Sequence, residues 1–305
     1  MNRVLLIINP NSGDKSSITV GNELQEKLQR KKIETTVYET TGQDNFKELV
    51  QNEMKKDLDA VIALGGDGTI SEVINGIATL KHRPKVLVIP LGTTNNFVQA
   101  LGMELDLTNI LEAIEEDHVE EKAIDVGHLN NQYFISTVSA GSLPEVAWQT
   151  DDELKEELGS LAYILEGSKA INDFNPFDMK IETEEDTYQL DDVILVVVGL
   201  SNSIFGIESF FSEAEVDDGL LHLFAMKKSN LISEASSMVQ HIFNRDNEED
   251  PNNNLSFVTS FKKAKISSTS DLSTAVDGEK GSKFPLELDI LHKHITFLIP
   301  KSMNE

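Results

Sequence analysis

The chain has 305 residues, no cysteine and a formal net charge of −26, from 52 acidic and 26 basic side chains. This length allows two domains with separate cores, and the lack of cysteine excludes disulfides and thiolate chemistry. So large a negative charge repels nucleic acid and anionic lipid at long range. We therefore exclude nucleic acid as a partner, and a membrane contact would need a local patch or bound cations.

The first part of the chain alternates strand and helix patterns. Strands are predicted over 3–8, 33–38, 59–64 and 85–89, and each is followed by a helical pattern. The helices include one over 46–54 and one over 107–116. This alternation predicts a parallel sheet covered by helices on both faces.

The stretch Ala63–Ile77 combines a buried strand end, a glycine turn and an amphipathic helix. Gly65, Gly66 and Gly68 let the backbone approach a ligand closely. Thr69 and Ser71 are expected at the helix start, where hydroxyls cap and free N–H groups bind anions. This pattern predicts a phosphate site, with Asp67 placed for a hydroxyl or a metal-bound water. The alternative is a tight strand-to-helix connection with an ordinary Asp.

Two more polar turns follow predicted strands. Residues 9–13 (NPNSG) end the first strand, and residues 90–97 (PLGTTNNF) end the fourth. Open α/β sheets bind ligands at the carboxyl ends of their strands. The three turns are therefore expected at one ligand-binding edge.

From about Ile124 the sequence is mostly β. Strands are predicted over 133–138, 177–182, 191–200, 219–226, 256–267, 286–290 and 294–299, with helices over 153–171 and about 231–243. This texture predicts an antiparallel sandwich or barrel as the second domain. We expect domains of 1–125 and 126–294, with the chain end 295–305 returning to the first.

Several ordered segments together resemble the diacylglycerol kinase catalytic-domain family. The segments are 9–13, 65–69 (GGDGT), 90–97, 213–220 (EAEVDDGL) and 275–279 (AVDGE), with Lys155, Gly159 and Tyr163 fitting an inserted helix. The chain is most similar to the bacterial soluble lipid-kinase branch, and is also similar to sphingosine kinases and, more distantly, to NAD kinase. The resemblance implies an N-terminal three-layer α/β domain and a C-terminal antiparallel β-sandwich. It also implies an active site in the cleft between them.

By this resemblance the glycine turns and their neighbours bind ATP, and Asp67 holds Mg²⁺ directly or through water. The implied ATP-binding residues are Asn9, Pro10, Asn11, Ser12, Gly13, Thr40, Gly65, Gly66, Asp67, Gly68, Thr69, Ile70, Ser71, Thr93, Asn95 and Asn96. The implied catalytic residues are Glu279, Asp277, Asp67 and Asp125, with Glu279 as the proton acceptor and Asp277 as its competitor. The implied metal ligands of the second domain are Glu215, Asp218 and Leu220. No P-loop sequence is present.

Each of the acidic positions also has an ordinary structural interpretation. Asp277-Gly278 is typical of a hairpin turn, 213–220 of a tight turn, and Asp125 of a hydrogen bond at a domain junction. The chain also departs from the family pattern at three positions. Ser212 stands for the usual Pro, His222 for a frequent Asp, and Asn96 for an Asp of the acidic network.

The resemblance implies an ATP-dependent lipid kinase that converts diacylglycerol to phosphatidic acid. Alternatives are another lipid acceptor, such as phosphatidylglycerol or a sphingoid base, and a nucleotide- or lipid-binding homologue that has lost turnover. We expect a cytoplasmic protein that binds its lipid peripherally at the membrane. A homodimer is compatible with the sequence. The segment 261–265 (FKKAK) is interpreted as a lysine-protected strand edge, with a membrane patch as the alternative.

Overall fold

The structure is a computed structural model that describes residues 1–12, 16–41, 48–49, 52–53, 58–92, 95–103, 106–141, 175–204, 210–211, 213–228 and 256–301. The chain divides into two compact units. Unit 1 comprises Met1–Val126, Tyr133–Ile135 and Leu291–Glu305, and unit 2 comprises Gly127–Gln132 and Ser136–Ile290. The predicted helices over 153–171 and 231–243 lie outside the described residues. Of the predicted helix over 46–54, residues 48–49 and 52–53 are described and are helical.

The sheet of unit 1 is built from parallel strands, as predicted. Its first four strands are β1 (Arg3–Ile8), β2 (Glu34–Glu39), β3 (Ala60–Gly65) and β4 (Lys85–Pro90). They lie in the order β2-β1-β3-β4, and every neighbouring pair is parallel. The last strand of the chain joins this sheet, because Phe297 and Leu298 pair in parallel with β4.

Besides the helical residues 48–49 and 52–53, the described part of unit 1 contains four helices. They are α1 (Ser17–Arg30), α2 (Asp67–Ile77), α3 (Asn96–Ala100) and α4 (Leu107–Glu115). The apolar face predicted for α2 is confirmed, because Ile70, Val73, Ile74 and Ile77 are all buried. Burial of these side chains away from water packs α2 against β3. The polar turn that precedes α2 is therefore attached to a fixed helix.

Unit 2 consists of antiparallel strand pairs, which confirms the predicted class. Its strands are β7 (Thr137–Gly141), β8 (Phe177–Thr183), β9 (Thr187–Gly199), β10 (Leu221–Lys227), β11 (Ser256–Phe261), β12 (Lys263–Ser268), β13 (Ser273–Val276) and β14 (Glu279–Lys283). The long β9 pairs with β7, β8 and β10. Two strands contain residues of both units: β5 (Val119–Leu129) and β15 (Leu286–Pro300). β5 is followed by the short β6 (Gln132–Phe134).

The predicted strands over 286–290 and 294–299 are one continuous strand, β15. The polar run His292-Lys293-His294 suggests a break in the sequence, and Lys293 does adopt a positive φ of 47°. The strand continues because the Lys293 N–H donates to the carboxylate of Asp125, 2.6 Å away. Conversely, the predicted strand over 256–267 divides at Lys262 into β11 and β12.

The interpretation of residues 261–265 as a strand edge is wrong. β12 pairs with β8 on one side and with β15 on the other, so its lysines do not guard an open edge. Phe261 is buried, and the Lys263 ammonium lies 3.5 Å from the Asp289 carboxylate. These residues therefore do not form an exposed patch of aromatic and basic side chains.

Candidate functional site

Three polar turns meet at the carboxyl edge of the parallel sheet in unit 1. The Asn9 N–H donates to the carbonyl of Leu64 at 3.0 Å, and the Leu91 N–H donates to the carbonyl of Gly65 at 3.0 Å. These two bonds join the turns after β1 and β4 to the end of β3, which lies between them. The edge at which the sequence places ligand binding thus contains all three predicted turns.

Two glycines allow the turns after β3 and β4 to touch through their backbones. A Cβ placed on Gly92 would lie 2.5 Å from the Gly66 Cα and 2.7 Å from the Asn95 Oδ1. Asn95 adopts the left-handed conformation, with φ of 49°. Its side chain accepts from the Gly92 N–H at 3.1 Å and donates to the Gly92 carbonyl at 2.7 Å. Without side chains at these glycines, a ligand can approach the backbone of the two turns closely.

The helix that follows the glycine turn begins at Asp67, with Gly66 as its N-cap. The prediction that hydroxyls cap this helix is wrong, because it has no side-chain cap bond. The Thr69 hydroxyl instead accepts from the Asn9 side-chain amide at 3.3 Å, which ties the first turn to α2. The amide N–H groups of a first helical turn have no acceptor within the helix, so this end of α2 suits an anion.

Asp67 links the helix start to the turn after β4. Its Oδ1 accepts from the Phe97 N–H at 3.2 Å, and the side chain is partly exposed. A carboxylate is an oxygen ligand that can bind a cation directly or through a metal-bound water. The oxygen donors present therefore fit Mg²⁺, which prefers one or two carboxylates completed by water or phosphate oxygens.

The other predicted nucleotide residues occupy different settings. Thr40 directly follows β2, and its N–H donates to the Ile8 carbonyl at 2.8 Å. The Asn9 side chain accepts from the Asn11 N–H at 3.0 Å within the turn after β1. Ile70 is fully buried, so its side chain packs in the core and does not face a ligand. Gly13 and Thr93 lie outside the described residues, as does the side chain of Asn96.

In unit 2, Asp277 and Gly278 form the two-residue turn between β13 and β14. Both have positive φ, 48° and 85°, which is the geometry of a type I′ hairpin turn. The Asp277 Oδ1 accepts from the N–H groups of Ser136 at 2.9 Å and Thr137 at 3.1 Å. This carboxylate therefore fastens the hairpin to the start of β7.

Glu279 follows the turn as the first residue of β14, and its side chain is exposed. Among the described residues its carboxylate has no hydrogen-bond or ion-pair partner. A general base must be able to reach the proton that it removes, and Glu279 has that freedom while Asp277 is held by two amides.

The loop before β10 is organised around Asp218. Its Oδ1 accepts from the Leu220 N–H at 2.8 Å, and its Oδ2 accepts from the Glu215 N–H at 3.1 Å. The buried His222 ring places Nε2 2.9 Å from the same Oδ2 and Nδ1 2.9 Å from the Ser260 hydroxyl. An ionised carboxylate only accepts, so Nε2 donates to Asp218; in the neutral ring Nδ1 then accepts from the Ser260 hydroxyl.

This arrangement narrows how the loop could bind Mg²⁺. The Asp218 Oδ2 already accepts from two donors, so a cation would bind through Oδ1 and through main-chain oxygens such as those of Glu215 and Leu220. Mg²⁺ can bind to a single carboxylate when water molecules complete its coordination. The Asp218 carboxylate and these main-chain oxygens therefore fit a Mg²⁺ site that has one charged ligand. In the described part of the chain, no group of three or more His, Cys, Asp or Glu side chains is arranged to hold a metal ion.

Asp125 is almost completely buried, with 2% of its surface exposed. Its Oδ1 lies 2.9 Å from the His292 Nδ1 and accepts from the Lys293 N–H. Those contacts correspond to the structural alternative, in which Asp125 forms a hydrogen bond near the boundary between the units. Its catalytic assignment stays a prediction.

Sequence reasoning missed three polar arrangements. They are the pairing of Asp218 with His222 and Ser260, the pairing of Asp125 with His292, and the contact of Asn75 with Tyr133. Each joins residues that are distant in the chain or on opposite strands. The first pairing could not be found from the sequence alone, because His222 and Ser260 lie opposite each other only through the register of β10 and β11.

Comparisons with known proteins agree with this fold. Residues 3–129 match the family model of the diacylglycerol kinase catalytic domain, and residues 136–299 match that of a YegS C-terminal NAD kinase beta sandwich-like domain. The two matches follow each other along the chain in the same order as unit 1 and unit 2. Together they define the class of the protein as a lipid kinase with a two-part fold.

Individual relatives extend the likeness over the whole chain. It is 33% identical over 301 residues to a diacylglycerol kinase of Staphylococcus haemolyticus, covering 98% of this chain and 88% of the relative. It is 34% identical over 304 residues to one of Staphylococcus aureus, covering 99% and 93%. A crystal structure of a diacylglycerol kinase from Bacillus anthracis str. Sterne superimposes with a TM-score of 0.77 at 28% identity, covering 98% of this chain and 97% of that one.

The chain belongs to the diacylglycerol kinase catalytic-domain family, and it is a lipid kinase. The described part of the chain contains no helix long and apolar enough to span a membrane.

Proposed function

We propose that the chain transfers the γ-phosphate of ATP to a lipid hydroxyl, with diacylglycerol as the acceptor and phosphatidic acid as the product. One observation carries the nucleotide part of this proposal: three polar turns meet at one sheet edge, with Gly66 and Gly92 in backbone contact. Phosphoryl transfer depends mainly on positioning and on neutralising charge, and such an edge offers N–H groups for both. The names of the relatives support the acceptor.

In this proposal, unit 1 binds the nucleotide. The N–H groups at the start of α2 bind phosphate oxygens, together with the hydroxyls of Thr40, Thr69 and Thr93. Asp67 would hold Mg²⁺, directly or through water. When bound, Mg²⁺ neutralises charge on the transferring phosphoryl group.

Unit 2 contributes the proton acceptor. The Glu279 carboxylate takes the proton of the lipid hydroxyl while that oxygen forms its bond to the γ-phosphorus and the bond from phosphorus to the ADP oxygen breaks. Its exposed position and the lack of a partner among the described residues support this role over one for Asp277. Asp277 then acts as the residue that fixes the hairpin.

Two alternatives remain distinct from this proposal. Another lipid, such as phosphatidylglycerol or a sphingoid base, could be the acceptor. A homologue with weakened or lost turnover would follow from Asn96, which cannot supply the charge of the family's Asp. Asn96→Asp should raise turnover in a weakened enzyme and leave a pure binding protein inactive.

The deciding experiment is transfer of label from γ-labelled ATP, with magnesium, to lipids in mixed micelles. Diacylglycerol, phosphatidylglycerol, a sphingoid base and NAD are tested side by side. We expect label in diacylglycerol. Label in another lipid would identify that lipid as the acceptor. Label only in NAD would mean that the chain is a NAD kinase. ATP binding without any labelled acceptor would mean that the chain is a binding protein without turnover.

The proposal also includes a peripheral encounter with the membrane, because the acceptor lipid is presented there. Co-sedimentation with phosphatidylglycerol-containing vesicles, with and without magnesium, measures this contact. A homodimer would be detected by light scattering in the same samples.

A further inference from the structure

The short strand β6 has one edge that is completed by a side chain. Within the described pairings β6 pairs only with β5. At its other edge, the Tyr133 N–H donates to the Asn75 Oδ1 at 2.8 Å, and the Asn75 Nδ2 donates to the Tyr133 carbonyl at 2.9 Å. Buried backbone donors and acceptors need partners, and here one amide side chain supplies both, as a neighbouring strand would.

Asn75 uses both of its amide hydrogens and its carbonyl oxygen in this place. Its Nδ2 also donates to the Ser71 carbonyl at 2.9 Å, one turn earlier in α2. An asparagine in a helix interior is less favourable than Leu or Ala, because its side chain competes with the backbone for hydrogen bonds. The fixed amide therefore indicates a role that an apolar helix residue could not fill.

The contact connects two stretches that the proposed reaction uses. Asn75 lies on α2, the helix that begins with Asp67. Tyr133 opens the stretch 133–135, which belongs to unit 1 although the residues on either side belong to unit 2. Phe134 and Ile135 are buried. The next two residues, Ser136 and Thr137, donate their N–H groups to Asp277.

We propose that Asn75 is a positioning residue for phosphoryl transfer. By fixing the peptide groups of Tyr133, it fixes the start of the segment whose amides hold Asp277, and hence the hairpin on which Glu279 stands. This inference rests on the proposed function, since it assigns Asn75 to the placement of the proton acceptor. It predicts a defect in the chemical step with nucleotide binding preserved.

The test compares three variants. Asn75→Leu removes every hydrogen bond of the side chain at similar volume. Asn75→Ser keeps a hydroxyl able to bond the Ser71 carbonyl but too short to bridge to Tyr133, and its smaller change protects against a folding defect. Asn22→Leu makes the same chemical change on an exposed face of α1 and serves as the control.

We measure kcat and KM for ATP and for the labelled lipid, and hydrogen exchange of the peptide that covers 130–137. Both Asn75 variants should lose about tenfold to a hundredfold in kcat, because small misplacements of reacting groups are that costly. The KM for ATP should stay within about twofold in the same variants. The Tyr133 amide should exchange faster in both, and Asn22→Leu should match the wild-type chain.

The outcomes separate this inference from the proposed function. If Asn75→Ser exchanges faster at Tyr133 yet keeps the wild-type kcat, the contact is structural and the inference is overturned. A rise in KM for ATP parallel to the loss of kcat would also overturn it, because the nucleotide site would then be damaged. If the wild-type chain labels no acceptor, the proposed function is overturned, and the inference that rests on it is overturned as well.

Discussion

The two acidic regions of this kinase are built in opposite ways. Around Asp67, consecutive residues of three short turns come together because neighbouring parallel strands end at one edge, and glycine contacts hold the turns. Around Glu279, an ordinary two-residue hairpin gains its place from amides of Ser136 and Thr137, far away in the chain. The first region is specified by local sequence and strand order. The second depends on long-range contacts.

The largest expected effect distinguishes the two carboxylates of the hairpin. Glu279→Gln should reduce kcat by about 10²–10⁴-fold, the usual contribution of a general base. Asp277→Asn should retain most of the activity, because an amide oxygen can still accept from Ser136 and Thr137, and Asn tolerates a positive φ. Steady-state kinetics with the labelled lipid measures both.

Each variant also needs a check on folding. The free energy of unfolding of Glu279→Gln should equal that of the wild-type chain, because the side chain is exposed. Equal losses of kcat in the two variants would mean that Asp277 also takes part in the chemistry. A larger loss in Asp277→Asn would exchange their proposed roles.

The next prediction concerns the glycine contact in unit 1. Gly92→Ala should destabilise the chain by about 1–3 kcal/mol, the usual effect of overpacking, because its Cβ would lie 2.5 Å from the Gly66 Cα. Gly66→Ala should cost less, since its Cβ would lie 3.1 Å from the Gly92 Cα. Urea unfolding measures both changes, and ATP binding should weaken most in Gly92→Ala. Equal stability of the two variants would contradict the contact.

The sequence was sufficient for the parts of the structure that local patterns determine. The turn after β3 follows from three glycines between a buried strand and an amphipathic helix, and the four parallel strands follow from alternation. The approach of Gly92 to Gly66 did not follow, because it depends on the sheet order β3-β4 and on the left-handed Asn95.

The second half was harder because its contacts join distant strands. The strand over 286–300 was divided in the sequence by a polar run, yet Asp125 holds the backbone of Lys293 and the strand continues. The lysines of β12 suggested an edge, whereas the pairing partners come from 177–183 and 286–289. Alternation of residues predicts a strand, but it does not predict its neighbours.

A third prediction sharpens the comparison within unit 2. His222→Ala removes the donor to Asp218 and leaves the Ser260 hydroxyl without its acceptor, so it should destabilise the chain by about 1–3 kcal/mol. Ser260→Ala removes only the outer bond and should cost less. His222→Asp restores a carboxylate and should make the melting temperature rise with magnesium more than it does in the wild-type chain. An equal magnesium response would show that residue 222 does not control cation binding.

The smallest expected effect is a pH dependence in unit 1. The His294 Nε2 lies 2.8 Å from the Ala78 carbonyl at the end of α2, and burial lowers the pKa of His294 from its ordinary value of 6.5. A lowered pKa means that the folded chain prefers the neutral ring, which donates through Nε2–H. As pH falls through about 6.5, the unfolded chain binds the proton first, so the contribution of His294 to stability is present above that pH and is lost below it. Since the ring is partly exposed, the effect is modest.

His294→Gln keeps a neutral N–H donor and should flatten the pH dependence of the unfolding free energy between about pH 5 and 7. The control is His82→Gln, at an exposed position, which should leave this pH dependence as it is in the wild-type chain. The same slope in all three proteins would mean that the end of α2 does not depend on His294, and that its apolar face alone holds the helix.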